Sequence, residues 1–370
     1  MDITIAPSVV SATTDGNYSD APASLGQLFL PIRFIPYFIF LVLMTLMGTS
    51  GNILIMVSVA LNKKLQVISN VFVVNLALAD ISISAVIIPI TAIGLFNDAE
   101  FNYNFPIVCT VLGPLVVVSC ACSIWSIVSI SLERYLHICH PASYRKFYNR
   151  QSVPFIVLCV WFIAAAIALP YFDFFGWGSY VYLYRGRVCT WTYTGSYFYS
   201  YYLIGLGLIV PMIIIPYCYI RIYMFVKKSK QRMLKHRSEV NGNLKDSQKW
   251  KSPDIKILKT VATIWAAFMI MWAPYTANVV FNIHDTWPDS YMQTGVALCL
   301  SNSSINFIIY GIMNQNFRRS YSMIYHKIIC GKWGRELSET DTEGSSKGNS
   351  TLKHGSSVAT LTIASTHANI

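Results

Sequence analysis

The chemistry open to this chain is carried by single charges set in apolar surroundings. Glu133, Arg134 and Tyr135 stand together just after the uncharged run from Ile107 to Ile130. His137, His140, Arg145 and Lys146 follow closely. Charges cost kilocalories in hydrocarbon and little at its border, so such a pair is either an interfacial anchor or a switch. As a switch, Arg134 would pair with an acid in one state and be released in another. Asp80 is the second informative charge, closing the run Asn75-Leu76-Ala77-Leu78-Ala79-Asp80 with no basic residue at similar depth. A carboxylate there must be protonated or neutralised by a cation. Oxygens of Ser123, Asn302, Ser303 and Asn306 suit a small hard cation, and an allosteric sodium ion is the natural candidate. Catalysis has no comparable support. The sequence holds no Ser/His/Asp constellation, Gly-rich phosphate loop or paired-histidine metal motif, and its seven histidines are dispersed. No enzyme and no organic cofactor are expected.

These charges require elements that keep them in or beside a bilayer. Of 370 residues, 54% are hydrophobic and 12% charged, with mean hydropathy +0.47; soluble domains carry about 25% charged residues. The deficit is concentrated in seven tracts, near 36–61, 68–96, 106–132, 153–172, 198–226, 257–283 and 292–313. Each is long enough to cross roughly 30 Å of hydrocarbon. A buried helix in a soluble core explains one such tract, not seven in succession. The expected fold is all-α, a seven-transmembrane helix bundle followed by a short amphipathic eighth helix.

Basic residues set the orientation. Lys63 and Lys64 follow the first span, Arg145, Lys146 and Arg150 the third, and Arg318, Arg319 and Lys327 the seventh. Eleven more lie between Lys227 and Lys259. The opposite loops hold Asp98, Glu100, Asp285 and Asp289, with Arg185 and Arg187 as exceptions. The N-terminus is therefore extracellular and the C-terminus cytoplasmic, in a multi-pass plasma-membrane protein. The net charge of +11 is this asymmetry. It favours anionic membrane lipid and implies no nucleic acid.

Three segments are expected: a disordered extracellular stretch over 1–35, the membrane domain over 36–328, and a disordered cytoplasmic tail over 329–370. The first stretch has no cleaved signal peptide, and its sequon Asn17-Tyr18-Ser19 is a glycosylation site. Asn349-Ser350-Thr351, on the cytoplasmic side, should stay unmodified. Among nine cysteines, Cys120, Cys122, Cys159, Cys218 and Cys299 are packing residues within spans. Cys109 and Cys189 both face the oxidising side, and a bridge between them would staple the loop between spans four and five over the bundle mouth. Cys330 carries either a palmitoyl chain or a free thiol.

Proline supplies moving parts. Pro274 leaves the carbonyl of residue 270 without its donor, so span six should kink beside Trp272. Pro211 and Pro216 should bend span five, and Pro170 span four. Asp254 begins span six on the cytoplasmic side, where a pair with Arg134 would tie spans three and six shut. A kinked span is a suitable two-state element.

Together these residues resemble a rhodopsin-like (class A) G protein-coupled receptor from residue 36 to about 330. The resemblance rests on Gly51-Asn52, Leu76 to Asp80, Cys109, Glu133-Arg134-Tyr135, Trp161, Pro211 with Tyr219, Trp272-Ala273-Pro274, and Asn306 to Tyr310 followed by Phe317. It implies that Tyr219, Trp272, Pro274, Asn306 and Tyr310 join Glu133, Arg134, Tyr135 and Asp254 in the switch. The chain is more closely similar to the melatonin receptor branch over Asn70 to Asp80, His137-Ile138-Cys139-His140 and Ile309 to Arg319. Phe307 occupies the place of the usual span-seven proline, which removes a kink constraint. Three polar positions of melatonin receptors are changed, to Tyr171, Gly207 and Tyr193, and their Asn-Arg-Tyr variant is absent because Glu133 is acidic.

The resemblance places a ligand cavity among Val116, Val117, Cys120, Tyr193, Gly207, Tyr275, Thr276, Val279, Val296 and Leu300. Val116 stands where amine receptors carry an aspartate, and Leu300 where opsins carry the retinal lysine. A small neutral ligand is implied, with melatonin or other indoles and a short peptide as alternatives. Of the outer aromatics Tyr180, Tyr182, Tyr184, Trp191, Tyr197 and Tyr199, most are expected in the interfacial belt rather than as a lid. Implied partners are a heterotrimeric G protein of inhibitory type, and receptor kinases and arrestin acting on tail sites such as Ser338, Thr340 and Thr342. A seven-span transporter or channel is the competing class. Transporters show inverted repeats and broken helices in matching halves, and channels or membrane enzymes need several carboxylates or histidines within the spans.

Overall fold

In the hydrocarbon core each backbone N–H and C=O must be bonded within the protein, which leaves helices as the spanning element for tracts of this length. A computed structural model describes residues 32–96, 106–171, 176–192, 197–240, 253–282, 284 and 286–330. Asn17, Tyr193 and the tail beyond Cys330 lie outside the described residues. Spans one to four are Ile35–Leu61, Ile68–Gly94, Ile107–Cys139 and Ser152–Tyr171. Span five is Tyr197–Ser229, in a helix that continues to Val240, and span six is Lys259–Phe281 in the helix Pro253–Phe281. Span seven is a bent pair, Asp289–Ser304 and Asn306–Met313, meeting at 46°. The amphipathic helix Gln315–Cys330 follows. Large apolar side chains such as Phe155, Phe162, Ile213 and Ile270 face outward, as lipid contact requires.

The prolines act locally, and not all as expected. Ile83–Ile87 and Gly205–Ile209 wind as π turns. They stand ahead of Pro89 and Pro211, and the residues four before these prolines, Ala85 and Gly207, fall inside the wider turns. The extra residue relieves the clash between a proline ring and the carbonyl four positions earlier. Pro170, expected to kink span four, instead lies in the 3-10 turn Leu169–Tyr171 that ends it.

That ending leaves carbonyls without helical donors. Three tyrosines supply them: Tyr202 Oη donates to the Ala166 carbonyl at 3.0 Å, Tyr199 Oη to Ile167 at 3.2 Å, and Tyr180 Oη to Ala168 at 2.8 Å. The belt assignment of the outer aromatics is therefore corrected. Tyr180, Tyr182, Trp191 and Tyr199 are buried, while Tyr184 and Tyr197 are exposed. Each buried phenol gains a partner inside the protein, which the headgroup region would not need to provide.

The outer loop between spans four and five forms an antiparallel hairpin, β1 (Tyr180–Leu183) with β2 (Val188–Trp191), pairing Tyr182 with Cys189. Cys109 and Cys189 are joined by a disulfide, as expected. Arg185 Nε pairs with Asp289 Oδ1 at 2.6 Å, binding the turn to span seven. The Arg187 guanidinium lies 3.9 Å from the centre of the Phe34 ring, which ties it to span one. Gly113 on span three admits the hairpin: a Cβ there would stand 2.5 Å from the Tyr180 ring. Below the hairpin, an outer and an inner apolar cluster follow one another along the bundle, and Trp125 and Trp272 pack against both.

Candidate functional site

The described residues bring three arrangements together along the bundle. The first is a cavity under the hairpin. Val116, Val117, Cys120, Gly207, Tyr275, Thr276, Val279, Val296 and Leu300 line it, nine of the ten positions expected. The tenth, Tyr193, lies outside the described residues. Val188, Thr190 and Trp191 of β2 also line it, and Phe268 and Trp272 of span six contribute. Strand β2 was not anticipated, although Cys189 was the available signal: a bridge to the outer end of span three draws its neighbours over the mouth. No lining residue is charged. Tyr171 is not in the lining; it is fully buried with its hydroxyl 2.7 Å from Thr192 Oγ1.

The second arrangement surrounds Asp80, which is fully buried. Ser123 Oγ donates to Asp80 Oδ1 at 2.8 Å, and Asn306 Nδ2 to Oδ2 at 2.6 Å. Asn306, expected to offer oxygen to a cation, thus turns its amide N–H to the carboxylate. The Ser303 side chain also bonds to Asp80, and Asn302 is buried in the adjoining turn. Asn52 Nδ2 donates to the carbonyls of Gly48 at 2.9 Å and Ser303 at 2.8 Å. Ser304 Oγ donates to the Met44 carbonyl at 2.9 Å. Span seven is interrupted here by the 3-10 turn Asn302–Ser304. The missing proline has not straightened it: Asn52 of span one takes the Ser303 carbonyl, and Asp80 of span two holds the Asn306 and Ser303 side chains. The Phe307 ring instead fills the notch at Gly51, where a Cβ would stand 2.1 Å from it.

The third arrangement is the charged triplet. Glu133 is 1% and Arg134 7% exposed, with Arg134 Nε 3.3 Å from Glu133 Oε2. An interfacial anchor reaches out to water; these two side chains do not. Tyr135 Oη is 3.0 Å from His140 Nε2. In the helix Pro141–Phe147, burial and the nearby Glu133 carboxylate push the Tyr144 phenol up to about 12. Asp254 falls in the first turn of the span-six helix, and its side chain lies outside the described residues. Tyr310 is buried against Phe317 at 5.1 Å, and Tyr219 packs on the inner cluster. Trp272 stacks on Phe268 at 5.3 Å, two residues before Pro274. Cys330 ends the amphipathic helix, with its side chain outside the described residues.

Residues 51–310 match the family profile described as 7 transmembrane receptor (rhodopsin family). The chain belongs to this family. It is a multi-pass plasma-membrane receptor of the G protein-coupled class, and the transporter reading falls. The melatonin receptor type 1C of Xenopus laevis is 31% identical over 285 residues, covering 75% of this chain and 64% of that relative. The human melatonin receptor type 1B is 30% identical over 292 residues, covering 77% and 76%. The crystal structure of squid rhodopsin superposes with a TM-score of 0.70 at 23% identity, covering 85% of this chain and 91% of that one. This last likeness concerns the fold alone.

The close fit of Phe307 against Gly51 gives a direct test of how span seven is held. Gly51→Ala should destabilise the receptor by about 1–3 kcal/mol through overpacking. Phe307→Ala should relieve that penalty, so the double variant is more stable than the sum of the single changes predicts. Thermal unfolding of the purified receptor reads both, and strict additivity would contradict the contact.

Proposed function

We propose that this receptor takes a small, neutral, largely apolar ligand into the cavity beneath the hairpin and transmits its binding to a heterotrimeric G protein through span six. One observation carries the reading. Trp272 lines the uncharged cavity, packs on both apolar clusters and stands two residues before Pro274. A ligand that moves this indole therefore acts on span six, which packs against span three, the helix that carries the Glu133–Arg134 pair. Burial of that pair favours the switch over the anchor. Breaking a buried ion pair is costly, which suits a resting state held shut until partner contacts replace it.

Melatonin and other indoles are the first ligands to try, since the relatives are named melatonin receptors. Tyr171, with its hydroxyl engaged by Thr192, and Gly207, with no side chain, argue that the bound molecule is held differently here. The resemblance to the melatonin receptor branch implies an inhibitory G protein. Nucleotide exchange on a co-expressed inhibitory G protein, measured across such a ligand panel, tests the proposal. Arg134→Ala should reduce exchange by on the order of tenfold; an unchanged rate would remove Arg134 from the switch.

Asp80 and the oxygens of Ser123, Ser303 and Asn302 fit a hard monovalent cation, because a buried carboxylate with no basic neighbour gains most from one. Sodium held there would neutralise Asp80 in the resting state. Asp80→Asn should abolish the sodium dependence of agonist affinity, and a salt response identical to wild type would sink the ion site.

Tail residues Ser338, Thr340 and Thr342 are proposed kinase targets, since phosphates there add the paired negative charge that arrestin would read. Truncation after residue 335 should abolish ligand-dependent arrestin recruitment while leaving nucleotide exchange intact. Recruitment at the full level would rule out the tail.

A further inference from the structure

A separate cleft lies at the inner end of the molecule, between the last turn of span one and the amphipathic helix Gln315–Cys330. Ser320, Met323, Ile324 and Lys327 line it at the i, i+3, i+4, i+7 spacing of one helical face. Ser58, Leu61 and Asn62 close it from span one. Asn62 Nδ2 donates to Ser320 Oγ at 2.6 Å and holds the two walls together.

The walls are amphiphilic. Leu61, Met323 and Ile324 give an apolar side, and Leu61 and the neighbouring Ile328 are exposed, so that side continues onto lipid-accessible surface. The Ser58 hydroxyl is fully buried and has no hydrogen-bond partner among the described residues. A hydroxyl left in that state is destabilising, and an occupant offering an oxygen would satisfy it. Lys327 is half-buried in the cleft, while Lys63 and Lys64 are exposed in the turn Lys63–Leu65, which packs against the same helix. No acidic residue occurs in 58–67 or in 315–330. The rim is therefore positive.

We propose that this cleft is a binding site for an anionic phospholipid of the inner leaflet. Its phosphates would lie at Lys327, Lys63 and Lys64, a glycerol-ester oxygen would accept from Ser58, and an acyl chain would run along Leu61, Met323 and Ile324. The apolar wall selects a lipid over free phosphate, because only a lipid uses it. The inference is independent of the outer cavity and of what that cavity binds.

The test reconstitutes the full-length receptor in phosphatidylcholine nanodiscs doped with phosphatidylinositol bisphosphate, then counts lipid retained in detergent by native mass spectrometry. Wild type should keep one such lipid. The triple variant Lys63→Gln/Lys64→Gln/Lys327→Gln should lose it by about tenfold or more, since each lysine near an anionic headgroup contributes separately. Arg318→Gln/Arg319→Gln, off the lining face of the same helix, should retain it; equal loss there means general charge attraction and overturns the site. Met323→Trp, which fills the apolar wall and leaves every charge, should also release the lipid. Because this variant keeps the lysines, it decides the question even where the triple variant fails to fold, and unchanged retention overturns the proposal. Binding of soluble inositol trisphosphate as tightly as the lipid would identify a phosphate site without an acyl-chain contact, which also overturns it.

Discussion

Inside a bilayer a broken helix cannot turn to water for its missing hydrogen bonds, and this constraint shapes every irregular point of the receptor. Where span four stops, three tyrosines reach across to its last carbonyls. Where span seven is interrupted, Asn52 takes the Ser303 carbonyl. Where Pro89 and Pro211 would crowd a carbonyl, the backbone widens into π turns. At spans four and seven a neighbouring element supplies the compensation, so these two breaks also decide which spans are bound together. Spans four and five are joined by phenols, and spans one, two and seven by amides, hydroxyls and one carboxylate. Span six is tied to span seven through Asn278 Nδ2 at Met292 Sδ, 3.2 Å, and Cys299 Sγ at the Met271 carbonyl, 3.9 Å. It carries Pro274 and the aromatic stack of Phe268 and Trp272.

The same logic accounts for the roof. A hairpin over a bundle mouth exposes two strand edges and covers an apolar cavity, so its position needs more than two strands can provide. The disulfide to span three, the Arg185–Asp289 pair and the stacking of Arg187 on Phe34 fix it at three separate spans. Gly113 lets it settle close. With the roof fixed, the cavity beneath it is lined by apolar side chains with a few hydroxyl and indole groups and no charge.

Much of this was legible in the sequence, and what was not has a common cause. Hydropathy and the placement of lysine and arginine reveal spans and orientation because the bilayer acts on every residue alike. The cavity positions followed from the resemblance to the receptor family, and nine of them line one cavity. The tyrosines were misassigned because amphipathic aromatics suit both a headgroup and a buried carbonyl. Only knowing that Pro170 ends span four, rather than bending it, reveals the carbonyls they serve. Strand β2 was hidden for a similar reason: four residues inside an aromatic loop carry too little pattern to read. The persistence of the span-seven bend without its proline was not legible because its partners on spans one and two sit 226 or more positions away in the chain, as the separations of 251, 226 and 260 between bonded residues make plain.

That substitution has a mechanical consequence. A proline makes a bend permanent, because the missing N–H and the ring clash persist in every state. Here the bend rests on hydrogen bonds, each worth about 0.5–1.5 kcal/mol and rather more where a charge takes part. One such bond runs to the carboxyl of Asp80, which accepts from Asn306, the residue immediately before Phe307. A change of charge at Asp80 therefore acts directly on the group that holds the lower half of span seven. The Phe307 ring seated at Gly51 opposes any rotation of that half with packing rather than covalent geometry. In this receptor the buried carboxyl of span two and the bend of span seven are linked through the Asn306 amide and the Ser303 hydroxyl, with no proline at position 307 to hold the angle.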